Sequence, residues 1–183
     1  MPELRRINSI KNFHMKTLLF FSILCVFFFS CSRMVYIVRH AEKAASTDSS
    51  AKMMTNDPPL SEAGKVRAIV LRDELKKKHI RHIYSTNTTR TISTAEPLSQ
   101  AIKARIELYS NIDSLVNVIY STKGNILVVG HSNTVDDIVN KLCRQTKLAA
   151  DLKDGEYDNL FMIKIKGKKV FFDRRKYGYP SNP

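Results

Sequence analysis

"MVYIVRHAEK", Met34 to Lys43, carries four apolar residues in its first five and then stops at Arg39-His40. A short apolar run bounded by charge reads as a buried strand. One that ends in a guanidinium and an imidazole presents both groups at its carboxyl end. "NILVVGH", Asn125 to His131, repeats the arrangement: Ile126 to Val129 is unbroken aliphatic sequence, and Gly130-His131 follows. Continuous rather than alternating hydrophobicity marks a strand covered on both faces.

The segments around these two strands alternate in type. "SEAGKVRAIVLRDELKKK", Ser61 to Lys78, reads as a helix with Ser61 as N-cap and Glu62 in its first turn. Ile80 to Ser85 is a second strand. Thr89 to Ile102 has helical spacing, with Pro97 expected to kink it or to begin a new turn. Ile106 to Leu108 is a short strand, and Ile112 to Ser121 is a helix with Gly124 as its stop. Val135, Ile138, Val139, Leu142 and Cys143 mark one face of a further helix. Leu160 to Ile165 and Lys169 to Phe172 read as a hairpin around Lys166-Gly167-Lys168. Residues 41–57 are small and polar, a loop closed by Pro58-Pro59.

This alternation predicts one α/β domain over residues 34–183, three layers deep, with a mainly parallel central sheet and helices on both faces. Sheets of that kind place ligands at the carboxyl ends of their strands. Arg39, His40 and His131 would then face one crevice. A neutral imidazole there can attack phosphorus, and a guanidinium fork suits phosphate oxygens.

Residues 1–31 are kept out of the domain. Arg5, Arg6, Lys11 and Lys16 precede a charge-free apolar run from Leu18 to Phe29. That run is short for a membrane span and fits the apolar core of a secretory leader. Met15 is a second candidate start, which would leave residues 1–14 untranslated. "FFSCS" resembles a bacterial lipoprotein signal in which Cys31 is lipidated, with Phe28 where leucine is usual. Simple secretion and an uncleaved anchor are the alternatives. The expectation is an exported protein of the bacterial cell envelope, lipid-anchored on a membrane. With Cys25 in the leader and Cys31 acylated, Cys143 is left alone, so neither a disulfide framework nor a cysteine metal cluster is expected.

The chain has a formal charge of +13, which favours anionic partners such as phosphate esters or anionic head groups. Lys76 to His82, "KKKHIRH", reads as a solvated helix end rather than a lipid or nucleic-acid patch. Nucleic acid is not expected, because that reading rests on charge alone.

"VRHAEK", "PPLSEAGKVRA", "YSTNTTRTISTA" and "VVGHSNT" together, and in this order, resemble the successive signatures of the histidine phosphatase superfamily, the phosphoglycerate mutase-like fold. The resemblance spans residues 34–165. It implies that His40 is the phosphorylated nucleophile, and that Arg39, Arg90 and His131 complete a positive pocket around the phosphoryl group. Ser85 and Thr94 are candidates for added hydrogen bonds, with helix packing the other reading for Thr94. Gly64 is expected to serve local packing. Glu42 is placed among the substrate-binding candidates, a salt bridge to Lys43 or Arg39 being the other reading. Neither a metal nor a cofactor is implied.

The implied activity is metal-independent hydrolysis of phosphomonoesters or phosphoramidates, on a small molecule or a phosphoprotein, through a phosphohistidine. Many members of the family protonate the leaving oxygen with a glutamate after the arginine motif, or with an aspartate directly after the second histidine. Here Ser132 follows His131, and Glu42, Glu107 and Asp113 are the remaining candidates. A good leaving group, such as that of phosphohistidine or an aryl phosphate, would relieve the need for an acid. The alternative is a lipoprotein that binds a phosphorylated ligand in the same pocket without turnover. The presence of the nucleophile beside both arginines favours the enzyme.

Overall fold

The computed structural model describes residues 32–45 and 57–181. The leader, with Cys31, and most of the 41–57 loop lie outside the described residues. Six strands form one sheet in the order β3-β2-β4-β1-β5-β6. They are β1 (Ser32–Arg39), β2 (Ile80–Ser85), β3 (Ile106–Leu108), β4 (Asn125–Gly130), β5 (Asn159–Lys166) and β6 (Lys169–Lys176). The helices are α1 (Glu62–Leu75), α2 (Thr89–Ile102), α3 (Ile112–Ser121) and α4 (Ser132–Cys143). β3, β2, β4 and β1 run parallel, and the β5–β6 hairpin adds antiparallel to β1.

The sheet is buried by both faces of the same strands, which is why β1 and β4 read as unbroken apolar runs. Val35 and Ile37 of β1, with Ile126 and Val128 of β4, pack under Leu115 and Ile119 of α3 and Val135, Ile138 and Leu142 of α4. Tyr36, Val38, Leu127 and Val129 turn the other way, onto Leu71 and Leu75 of α1 and Ala95 and Leu98 of α2. Each fully buried aliphatic side chain contributes about 1.5–3 kcal/mol. The predicted three layers are therefore present. Cys143 closes the α4 stripe as a buried thiol.

Three local expectations change. β1 begins at Ser32, two residues early, because Ser32 pairs with Lys166 of the hairpin. The hairpin strands are also longer, with Lys166 paired to Lys169 and only Gly167-Lys168 in the turn. α2 runs through Pro97 without interruption. Among the described residues, no helix is long and apolar enough to cross a membrane.

Ser61 caps α1 as its sequence predicts, its hydroxyl accepting from the Gly64 N–H at 3.1 Å. The Ser61 N–H donates to the Glu42 carbonyl at 2.9 Å, bringing the helix start against the chain just beyond His40. A Cβ on Gly64 would overlap that same Glu42 carbonyl oxygen. Gly64→Ala is therefore expected to lower stability by about 1–3 kcal/mol. It should also reduce activity, because the backbone it displaces follows His40 by two residues. Denaturant titration should show a lower midpoint with an unchanged slope.

Candidate active site

β1 and β4 are parallel neighbours with Arg39 opposite Gly130, so the residues after them emerge side by side. The His40 N–H extends the ladder by donating to the Gly130 carbonyl at 2.8 Å. The two imidazoles consequently lie 5.5 Å apart between centroids, edge to face. His40 is 4% exposed. Its Nδ1 is 2.7 Å from the Ala41 carbonyl, which can only accept. Nδ1 therefore carries the proton, and Nε2 keeps its lone pair. Thr94 holds this turn from α2: its hydroxyl accepts from the Ala41 N–H at 2.9 Å and donates to the Arg90 carbonyl at 2.7 Å.

Arg39 is nearly buried. Its guanidinium donates to the carbonyls of Lys153 and Asp154 at 2.8 and 3.1 Å, and lies 4.3 Å above the centre of the Tyr157 ring. Among the described residues its Nε–H has no hydrogen-bond partner. Arg90, in the first turn of α2, donates to Asp57 Oδ1 at 3.1 Å and reaches His131 Nδ1 at 3.4 Å. Asp57 Oδ2 in turn accepts from the Thr89 N–H at 2.7 Å, tying the carboxylate to the helix start and aiming the arginine. Because arginine only donates, His131 Nδ1 is an acceptor, and its Nε2–H donates to the Thr86 hydroxyl at 2.9 Å.

These side chains border a cavity of about 490 Å³ whose lining includes Arg39, His40, Arg90, His131, Ser132 and Asp154. Lys43 stands at its edge. α4 opens into it at Ser132, so the helix adds free N–H groups and a positive dipole end. Two guanidinium groups, a lysine and a helix N-terminus make a receptor for a tetrahedral dianion, with an unprotonated imidazole nitrogen beside it. Among the described residues, no group of three or more His, Cys, Asp or Glu is placed to hold a metal ion.

The environment keeps both imidazoles neutral. Burial, joined by the charges of Arg39 and Arg90, pushes His40 from 6.5 down to about 3, against the opposing pull of the Ala41 carbonyl. Burial and then Arg90 and Arg39 lower His131 to about 4, with Asp57 opposing. NMR titration is expected to show neither ring charging above about pH 5. Between the ordinary value of 6.5 and these folded values the unfolded chain binds more protons. Stability should therefore fall as pH drops from 6.5 toward 4.

The remaining candidates lie elsewhere. Ser85 is fully buried, and its hydroxyl donates to the Thr86 carbonyl at 2.9 Å. Thr86, one residue later, is the one whose hydroxyl meets His131. Glu42 is not in the cavity: both its oxygens hold Arg67, with contacts of 2.6–2.9 Å, and neither Lys43 nor Arg39 is its partner. Glu107 faces His82 at 3.2 Å, and Asp113 pairs with Lys141 at 2.6 Å. None of the three candidate acids borders the cavity. Asp57, Thr86, Tyr157 and Asp154 are the residues the sequence did not single out. Asp57 is held ionised by the Thr89 N–H and Arg90, which outweigh its partial burial.

In architecture the domain is phosphoglycerate mutase-like, with a cavity lined by two histidines and two arginines at the carboxyl ends of β1 and β4. Residues 35–115 match the family profile of the histidine phosphatase superfamily (branch 1). No curated protein matches the sequence. Among solved structures, protein histidine phosphatase SixA complexed with tungstate is similar with a TM-score of 0.60 and 15% identity, over 78% of this chain and 96% of its own. The mycobacterial glucosyl-3-phosphoglycerate phosphatase gives 0.57 and 10%, over 82% and 100%. Phosphoglycerate mutase from Bacillus anthracis str. Sterne gives 0.55 and 15%, over 79% and 92%. At these identities the likeness is one of fold.

Proposed function

We propose that this chain is a phosphatase that works through a phosphohistidine on His40. The single observation that carries the reading is the hydrogen bond from His40 Nδ1–H to the Ala41 carbonyl, which leaves Nε2 unprotonated at an arginine-lined cavity. In the first step the Nε2 lone pair forms a bond to phosphorus as the bond to the leaving group breaks. Arg39 and Arg90 carry the charge on the equatorial oxygens, and the leaving group takes up a proton. In the second step water attacks the phosphorus and loses a proton. Phosphate departs, and His40 returns to its neutral form with Nδ1 still protonated. Both steps run on charges this chain supplies, without a metal.

The profile match supports this reading, and tungstate in the SixA structure is a tetrahedral oxyanion of the kind the cavity fits. Among the described residues, Asp154 is the carboxylate lining the cavity and faces Arg39, while Asp57 pairs with Arg90. A substrate that leaves without strong acid assistance suits such a site: a phosphoramidate, as in phosphohistidine, or an aryl ester. Export and attachment to a membrane through Cys31 are part of the same proposal.

The test is phosphate release from an aryl phosphate, an alkyl phosphate and a phosphohistidine peptide, with chelator present. Turnover of the first and third well above the second is expected. Tight phosphate binding with turnover of none would overturn the enzyme in favour of a binding protein.

A further inference from the structure

The pocket occupies one pole of the sheet. The opposite pole collects cations from distant parts of the chain. β1, β2, β3 and β4 all begin there, and the β5–β6 turn reaches it because Ser32, Lys166 and Lys169 lie in register across three strands. α1 ends there in Lys76, Lys77 and Lys78, and Arg81 opens β2. Lys103 and Arg105 bridge α2 and β3, and Lys123 stands between α3 and β4. The hairpin turn adds Lys166, Lys168 and Lys169, all exposed.

Among the described residues, only Lys76 of these has an ion-pair partner, Asp73. Glu74 and Glu107 are the other acids nearby, and Glu107 faces His82. Two helices are also closed by cations in the left-handed conformation, Lys103 (φ 55°) and Arg144 (φ 54°), where glycine would be less strained. Helix dipoles favour cations at such ends, but the hairpin lysines terminate no helix. Phe171, two residues beyond Lys169, is 54% exposed at the edge of this surface.

We infer that this pole is a docking surface for an anionic lipid membrane. The occupant follows from two facts. The charge complements acidic head groups, and the chain enters β1 at this pole, at Ser32, one residue after Cys31 and three after the apolar run 18–29. A membrane reached through that segment meets the polycationic face, with Phe171 beside it for the interfacial region. β1 then spans about 23 Å to Arg39, so the pocket opens away from the membrane toward soluble or protein-borne phosphate. The surface is independent of the catalytic chemistry, and its failure leaves the proposed turnover standing.

The test uses the full chain on vesicles of neutral phosphatidylcholine, and on vesicles with a third of the lipid replaced by phosphatidylglycerol. Lysine acetylation rates are read by mass spectrometry. On anionic vesicles at low salt, Lys77, Lys123 and Lys168 should react about tenfold or more slowly than on neutral ones. Lys65 and Lys176, at the pocket end, should not change, and high salt should erase the difference. Lys77→Gln, Lys123→Gln and Lys168→Gln together should remove the anionic-lipid preference and leave phosphate release unchanged. Lys65→Gln, Arg175→Gln and Lys176→Gln, an equal change in net charge, should keep it. Equal acetylation on both vesicles, equal loss in both triple variants, or stronger protection by an oligonucleotide than by anionic vesicles would each overturn the proposal.

Discussion

His40→Ala is expected to lower phosphate release by about 10⁴-fold or more, the scale seen when an enzyme loses its nucleophile. The variant should still bind inorganic phosphate within a few-fold of the parent. Arg39, Arg90 and the α4 terminus are untouched, and the side chain removed is a neutral ring. That pairing of lost turnover with preserved binding separates a chemical role from a folding defect. The parent protein, quenched during turnover of a labelled substrate, should carry one phosphoryl group that is stable to alkali and released by acid. Peptide mapping should place it on His40 and find none in the variant. Label on a serine or threonine, or an alanine variant that turns over normally, would sink the phosphohistidine.

Why Arg39, His40 and His131 could be placed at one crevice from the sequence, and Asp57, Thr86 and Tyr157 could not, is a matter of distance along the chain. Arg39, His40 and His131 follow apolar runs that can only be buried strands, and a parallel sheet sends the residues after its strands to one edge. Their 5.5 Å approach then needs only that β1 and β4 be neighbours. Ser85 was one residue out because the strand period is two: its side chain turns inward, and it is the Thr86 hydroxyl that meets His131. Glu42 follows His40 by two, but the chain has by then turned toward α1, where Arg67 waits; nothing local in the sequence names that partner. Asp57 belongs to a polar loop and gains its meaning only when α2 starts beside it. Tyr157 reaches Arg39 and His40 because β5 runs antiparallel to β1 and delivers the preceding loop to the pocket. The basic pole was hidden for the same reason. Lys77 and Lys168 are far apart in sequence, and "KKKHIRH" by itself looks like any solvated helix end.

Arg90→Ala is the second large effect, a loss of about 10²–10³-fold in kcat. Arg90 does two things that alanine cannot. It places a fixed positive charge at the cavity wall, and its NH2, 3.4 Å from His131 Nδ1, keeps that nitrogen an acceptor. Burial and then Arg90 are the leading causes of the low His131 pKa of about 4. Removing the charge should raise it toward, but not to, the ordinary value of 6.5, since burial remains. The acid limb of kcat/KM, which reports the free enzyme, should then move to higher pH in Arg90→Ala. Asp57→Asn makes the opposite electrostatic change, because Asp57 is the group that raises the His131 pKa. It should cost only about tenfold in kcat, through a less well aimed arginine, with the limb moving lower. Arg90→Lys, which keeps the charge but not the fork, should hold the limb near its original place while losing part of the rate. An arginine that merely packed the start of α2 would lower activity in all three variants with no movement of the limb. Opposite movements in Arg90→Ala and Asp57→Asn would assign the charge at this position to the chemistry.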